Sequence, residues 1–357
     1  MKGRIKRAFP GGNTSKGSYS FFNYIVPENV NRVFCLKGGP GVGKSSLMKK
    51  LAKEYNTDGY DIELFHCPSD PHSLDALVIK ELGVLLLDGT APHIVDPKLP
   101  GAEDEIVNLG DFLNTNELEK NKDKIIEADR DISESFKRTY KYLAAAEPIF
   151  LDIQEKYSSC LNLGKLNKMT ERFIEELFKD IKNTGVFRKK VHLFGSAITP
   201  VGCVDHTDNI FPEDADVYYL SGQIGTGKST FLKRLAERAE IKGMKVEMYH
   251  YPLIPDKVES VYIENLNIGF TTSKLFFDNK KIDFDEYVDK KKLLRYEEDI
   301  KADEKALEDI LNLAIACLKR AKSNHDIIES YYVPNMDFDK VGELRKDLIK
   351  KINNYKK

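Results

Sequence analysis

The chain has no tryptophan, only five cysteines and no long apolar run. Cys35, Cys67, Cys160, Cys203 and Cys317 fall in no C-x-x-C spacing and no even-numbered framework. They read as reduced thiols of a cytoplasmic protein, not as the staples of a secreted one. No apolar stretch approaches the roughly 18 residues of a membrane-spanning helix, so no membrane partner is expected. The opening Met1-Lys2-Gly3-Arg4-Ile5-Lys6-Arg7 is basic, but no apolar segment follows, which argues against a secretory signal. A large charge of one sign is missing too. The 55 basic and 57 acidic side chains leave a formal net charge of −2. That balance gives no global pull toward nucleic acid or anionic membrane, and nucleic acid is not an expected partner.

What is present suits two domains of ordinary size, since 357 residues at 41% hydrophobic can bury a core in each. One motif occurs twice. Gly38-Gly39-Pro40-Gly41-Val42-Gly43-Lys44-Ser45-Ser46 and Gly222-Gln223-Ile224-Gly225-Thr226-Gly227-Lys228-Ser229-Thr230 both fit G-x-x-x-x-G-K-[ST], the Walker A phosphate-binding loop. Each follows a short apolar run, Val33 to Leu36 or Val217 to Leu220, that reads as a buried strand. Each precedes a helical pattern, Leu47 to Lys53 or Phe231 to Glu237. The glycines let the backbone turn tightly and aim its N–H groups at phosphates, and the helix N-terminus adds its dipole. Lys44 or Lys228 would reach the β- and γ-phosphates, and Ser45 or Ser229 would offer a hydroxyl to Mg²⁺.

The motif belongs to a longer repeat. Lys44 and Lys228 lie 184 positions apart, and the same offset pairs Val33 with Val217, Leu51 with Leu235, Gly59 with Gly243, His66 with His250 and Pro71 with Pro255. Upstream, an offset of 185 pairs Phe9 with Phe194, Thr14 with Thr199 and Gly17 with Gly202. A period this long means duplicated domains, placed at 1–185 and 186–357.

Between the loops, Asp61 to Cys67 reads as a strand and Asp70 to Lys80 as mixed. Gly83-Val84-Leu85-Leu86-Leu87-Asp88 is an apolar strand ending in aspartate, the shape of a Walker B segment whose carboxylate orients Mg²⁺ or its water; Asp88-Gly89 also fits a hairpin turn. The loop beyond, Thr90 to Pro97, supplies His93 and Asp96 as candidate substrate or water contacts. His66 reads as a structural histidine, and the polar loop Phe9 to Gly17 as a turn. From Glu117 the pattern is helical, with Leu118, Ile125, Ile132, Phe136, Tyr140 and Leu143 on one stripe, and Pro148 is expected to kink or end that helix. Ile300, Leu307, Ile310, Leu311, Ala314 and Leu318 make a second stripe, and Val341 to Ile352 a last helix. These helical arms are a candidate surface for a protein partner.

The halves differ where chemistry is expected. Thr272 stands at the position of Asp88, and nothing in the second half matches His93 or Asp96. Glu264 or Asp256 are the alternative acids there. Neither half has a glutamate directly after the Walker B aspartate.

These residues resemble an uncharacterised family of tandem P-loop proteins from Firmicute-type bacteria, labelled ATPases. The resemblance rests on Pro10 to Gly17, the two glycine loops and Leu87-Asp88-Gly89-Thr90-Ala91-Pro92-His93, and spans the chain. It implies two ATPase domains and no known substrate.

The residues themselves predict an α/β fold, two tandem P-loop NTPase domains with parallel sheets flanked by helices and helical additions. The expected function is Mg²⁺-dependent binding of a nucleoside triphosphate, ATP, with slow hydrolysis centred on the first loop. Lys44, Asp88 and His93 are the catalytic candidates, and Ser45, Asp88 and Ser229 the metal candidates. A phosphotransferase acting on a small molecule or nucleotide, with Arg130, Arg138 and Arg172 as lid cations, and a non-enzymatic ATP-dependent switch are the alternatives. No N-K-x-D guanine motif is found, which favours ATP over GTP.

Overall fold

The computed structural model describes residues 2–90, 97–188 and 190–356. The first half contributes β1 (Ile5–Ala8), β2 (Gly11–Thr14), β3 (Gly17–Ser20), β4 (Arg32–Lys37), α1 (Lys44–Thr57), β5 (Ile62–Cys67), β6 (Asp70–Ile79), β7 (Val84–Asp88) and β8 (Asp104–Asn108), followed by a helical arm of α2 (Thr115–Lys120), α3 (Lys122–Ser159) and α4 (Leu163–Phe178). The second half contributes β9 (Val191–Leu193), β10 (Ser196–Thr199), β11 (Gly202–Asp205), α5 (Thr207–Ile210), β12 (Asp216–Ser221), α6 (Lys228–Ile241), β13 (Val246–His250), β14 (Val258–Ile263), β15 (Ile268–Thr271) and β16 (Lys280–Asp283), then α7 (Lys290–Leu293), α8 (Glu297–Tyr332) and α9 (Phe338–Asn353).

The first six-stranded sheet runs β1-β5-β6-β7-β4-β8 and the second β9-β13-β14-β15-β12-β16. The strands correspond one to one, so the sequence repeat is a repeat of topology. The register agrees: Cys35 pairs with Leu87 and Tyr219 with Thr271, each member displaced by the same 184 positions. The sheets are mixed, not wholly parallel as expected. In each, one strand, β6 or β14, runs antiparallel to both neighbours. The links around β6, Pro68-Ser69 and Lys80 to Gly83, are far shorter than the dozen or so residues a parallel crossover needs.

Alternation along the strands explains the layering. Phe34 and Leu36 of β4 face α1, packing with Leu47, Met48 and Leu51. Val33 and Cys35 face the other way, into a cluster shared with Leu193, Val217, Tyr249 and Tyr262 of the second half. Each sheet thus has helices on one face and the other sheet on its second face. Full burial of each such aromatic or aliphatic side chain contributes roughly 1.5–3 kcal/mol, which is why strands buried on both faces read as continuous apolar runs.

The arms cross over. α3 and α8 lie along each other, joined by Leu143, Phe150, Leu307 and Leu318. α4 then packs on the second half, burying Leu166, Ile174 and Phe178 against α6, while α9 packs on the first, burying Val341, Leu348 and Ile352 against α1. Bridges Leu161–Val288 and Leu113–Met336 tie each arm's end to the opposite half. A boundary between 185 and 186 therefore follows the repeat in sequence but cuts across the packing. Pro148 does not end the helix, since α3 continues through it to Ser159. Its ring and the Ala144 carbonyl it frees are on exposed residues, where water can replace the lost bond.

Candidate functional site

Both glycine loops join the carboxyl end of a sheet strand to a helix, β4 to α1 and β12 to α6. Their backbone demands glycine. Gly38, Gly41 and Gly43 have φ of 143°, 72° and 92°, and Gly222, Gly225 and Gly227 have 138°, 87° and 98°, values that side chains strain to adopt. The arms add a steric reason. A Cβ on Gly39 would strike the Tyr332 ring, one on Gly41 would meet Val333, and one on Gly225 would collide with the Gln154 backbone. Each loop is therefore covered by the end of the long helix that the other half sends across.

At the first loop, Lys44 Nζ donates to the carbonyls of Gly38 at 2.7 Å and Gly39 at 2.9 Å and lies 3.5 Å from Asp88 Oδ2. Burial lowers the Lys44 ammonium, and the Asp88 carboxylate opposes that shift. Asp88 is not at a hairpin turn. β7 pairs in parallel with β4, which brings Asp88 to the sheet edge beside the loop. Its Oδ1 accepts the Thr90 N–H at 2.9 Å. Ser45 Oγ accepts the Leu74 N–H at 3.0 Å, leaving its own proton and a second lone pair. Gly39 to Ser46, Asp75 and Asp88 line a cavity of about 430 Å³, closed by Ile132 and Phe136 of α3 and by Lys322, His325 and Glu329 of α8. His93 and Asp96 lie outside the described residues.

At the second loop, Lys228 donates to the Gly222 carbonyl and, at 2.7 Å, to that of Gln223. Burial lowers its ammonium to about 8, against the pull of Asp285. Ser229 Oγ accepts the Val258 N–H at 2.9 Å, the counterpart of the Ser45 bond. Thr272 follows β15 as Asp88 ends β7, and its N–H donates to the Glu259 carbonyl. The alternative acids are committed elsewhere: Glu264 pairs with Lys245 and Asp256 with Lys16. Asp285 does touch this loop, its Oδ1 accepting the Gln223 N–H at 3.0 Å.

Two carboxyls escaped the sequence reading. Asp75 on β6 is buried, Glu259 on β14 is half-buried, and the two are 184 positions apart. Burial first, then the charge of Asp88, raises Asp75 to about 7. Burial likewise raises Glu259 to about 8, although Ser196 Oγ donates to it at 2.7 Å. An acid at corresponding positions of a repeat was the available signal. Also unforeseen is a trio on α8, His325, Asp326 and Glu329, whose potential ligand atoms lie within 4.8 Å of one another.

The remaining candidates fall away from the loops. His66 bonds to the Pro71 carbonyl at 2.8 Å and to Arg7, and burial lowers it to about 4. His250 repeats the bond with Pro255, is lowered to about 4 by burial and then by His192, and meets His192 at 2.8 Å. Both lie at the junction of the halves, His66 against His206 and His250 against Phe21. Phe9 to Gly17 is the β2–β3 hairpin region, reaching the second half through Asn13 Nδ2 to the Ile198 carbonyl and Ser15 N–H to that of Leu253. Arg130, Arg138 and Arg172 are exposed and none lines the cavity. Among the described residues, no helix is long and apolar enough to cross a membrane. Compared with protein-family models, curated proteins and solved structures, the chain finds no match.

Proposed function

We propose that the chain folds as two tandem P-loop NTPase domains and binds ATP with Mg²⁺, hydrolysing it slowly at the first loop. The observation that supports this most is convergence. Lys44, Ser45 and Asp88 meet the glycine loop and the N-terminus of α1 around one cavity, whose 430 Å³ falls within the ~300–1,000 Å³ typical of small-molecule sites. Backbone N–H groups and the helix dipole would hold the phosphates. Lys44 would exchange its loop carbonyls for phosphate oxygens, a charge-assisted contact. Ser45 and Asp88 fit a hard cation that takes oxygen ligands. Bound there, Mg²⁺ would neutralise charge developing on the β- and γ-phosphates.

The second loop keeps its glycines, Lys228 and Ser229 but has Thr272 where a carboxylate would orient the metal. It is read as a passive nucleotide site. Calorimetry with a non-hydrolysable ATP analogue and Mg²⁺ tests the proposal and should find two sites per chain. Lys44→Ala and Lys228→Ala should each weaken one of them by about 10–100-fold, the effect of removing a charged hydrogen bond. No binding by the wild-type chain would refute the reading. Among alternatives, the phosphotransferase has one observation in its favour: Lys49, Lys322 and His325 line the same cavity, so turnover stimulated by an added acceptor would support it.

A further inference from the structure

Two groups lining the first cavity, Asp75 and His325, have a buried polar atom with no hydrogen-bond partner among the described residues, and Asp75 is the carboxylate of the two. It is only 6% exposed, and it lines the space that Lys44, Ser45 and Asp88 also line. Its Oδ2 has no hydrogen-bond partner among the described residues. Leaving a buried carboxylate oxygen unmatched is unfavourable, and such groups in folded proteins call for an explanation. The groups acting on it come from four elements: Cys67 on β5, Asp70 on its own β6, Asp88 on β7 and Lys44 on α1.

The second half shows what a satisfied version looks like. Glu259 occupies the corresponding place on β14 and accepts a hydrogen bond from Ser196 Oγ. By the hairpin offset of 185, the residue in Ser196's place in the first half is Gly11, which has no side chain to donate. The acid thus accepts from a serine hydroxyl beside the loop that has Thr272, whereas beside the loop that has Asp88 it meets the Cys67 thiol and keeps one unpartnered oxygen.

We infer that Asp75 Oδ2 accepts the proton of the water that attacks the terminal phosphate at the first loop. The inference rests on the ATP-hydrolysing reading given above. In the step, the water oxygen forms a bond to the γ-phosphorus while one of its protons passes to Asp75. The bond from the γ-phosphorus to the β–γ bridging oxygen breaks, and ADP leaves with that electron pair. Asp75 then returns the proton to the phosphate product or to solvent, so no oxidant or further reactant is needed. Asp88 keeps its separate task beside Lys44 and the metal.

The test separates binding from turnover in the full-length chain. Asp75→Asn should bind the non-hydrolysable analogue within about threefold of wild type and unfold at a similar temperature. Its kcat should fall by about 10²–10⁴-fold, the usual contribution of a positioned base. A kcat within tenfold of wild type would overturn the assignment. So would a parallel loss of nucleotide binding, which would make Asp75 part of the binding site instead. A wild-type chain that binds the analogue but never turns over ATP would sink the inference and leave nucleotide binding standing. A wild-type chain that does not bind would remove both. If Asp75→Asn fails to fold, Asp75→Ser, with a smaller polar side chain, is read by the same criteria.

Discussion

Phe9 and Phe194 exchange two backbone hydrogen bonds, 2.9 Å from the Phe9 N–H to the Phe194 carbonyl and 3.0 Å in return. They are also equivalent residues of the repeat, 185 positions apart. A residue that pairs reciprocally with its own counterpart marks a local two-fold axis, as in the isologous interface of a symmetric dimer. Both rings are fully buried, within a small cluster containing Phe21 and Ala197. The symmetry stops at the charges. Lys6 reaches Glu247 at 2.7 Å and Glu63 at 3.4 Å, and Val191 stands at its repeat position. Burial pushes the Lys6 ammonium down, but the two carboxylates outweigh it and hold the group well above its ordinary value.

Functional asymmetry should follow from Asp88 and Thr272. Asp88→Asn and Lys44→Ala are each expected to lower steady-state ATP turnover at least tenfold, while Lys228→Ala leaves a substantial fraction. Rates of the three purified variants decide it. Abolition by Lys228→Ala with retention in Asp88→Asn would place the chemistry at the second loop.

The crossed arms predict how fragments behave. Residues 1–185 alone would carry α4 without the α6 face it covers and would lack α9 over α1. That fragment should aggregate or unfold readily and show little turnover. Co-expressed with residues 186–357, it should form a soluble, active one-to-one complex, because both arms then find their partners. Co-purification and turnover provide the check, and full activity of residues 1–185 alone would contradict the packing argument.

Steric contact between arm and loop can be isolated with two glycines. Gly17 and Gly225 both have left-handed φ, 91° and 87°. A Cβ at Gly17 meets open space, whereas one at Gly225 meets the Gln154 backbone. Gly17→Ala should therefore cost about 1–2 kcal/mol from backbone strain alone, and Gly225→Ala more by at least about 1 kcal/mol. Urea unfolding of both variants measures the difference, and equal losses would mean that the arm yields.

Glu259 should leave a signature in stability against pH. Its folded-state value, about 8, lies above its ordinary 4.5. Between those values the folded chain holds a proton that the unfolded chain releases, so this group's contribution declines as pH rises through the window. Glu259→Gln removes the dependence. From pH 5 to pH 9 the stability of wild type relative to the variant should fall, by on the order of 4 kcal/mol at most. Denaturant titrations at both pH values test the sign, and a difference that does not change would show that Glu259 ionises normally.

Much of this architecture was legible where sequence reports local geometry. The glycine loops, β4, β5 and β7, and the helix stripes follow from spacing and alternation. The antiparallel strand β6 was obscured because Asp70, Pro71, His72, Ser73 and Asp75 interrupt its apolar pattern. The arm exchange was hidden for another reason. An apolar stripe on α4 or α9 shows that a face is buried, but not which half buries it. Asp75 went unnoticed because an acid inside a strand carries no motif. Only its correspondence with Glu259 distinguishes it.

The position of α9 has a consequence for the order in which the protein is made. Val341, Leu348 and Ile352, near the end of the chain, complete the apolar cluster around Leu47 and Leu51, near its beginning. A ribosome therefore releases the first loop and α1 roughly 300 residues before the helix that covers them. At ~5–20 residues per second this leaves on the order of 15–60 s of exposure, during which a chaperone or transient self-association would have to shield the outer face of α1.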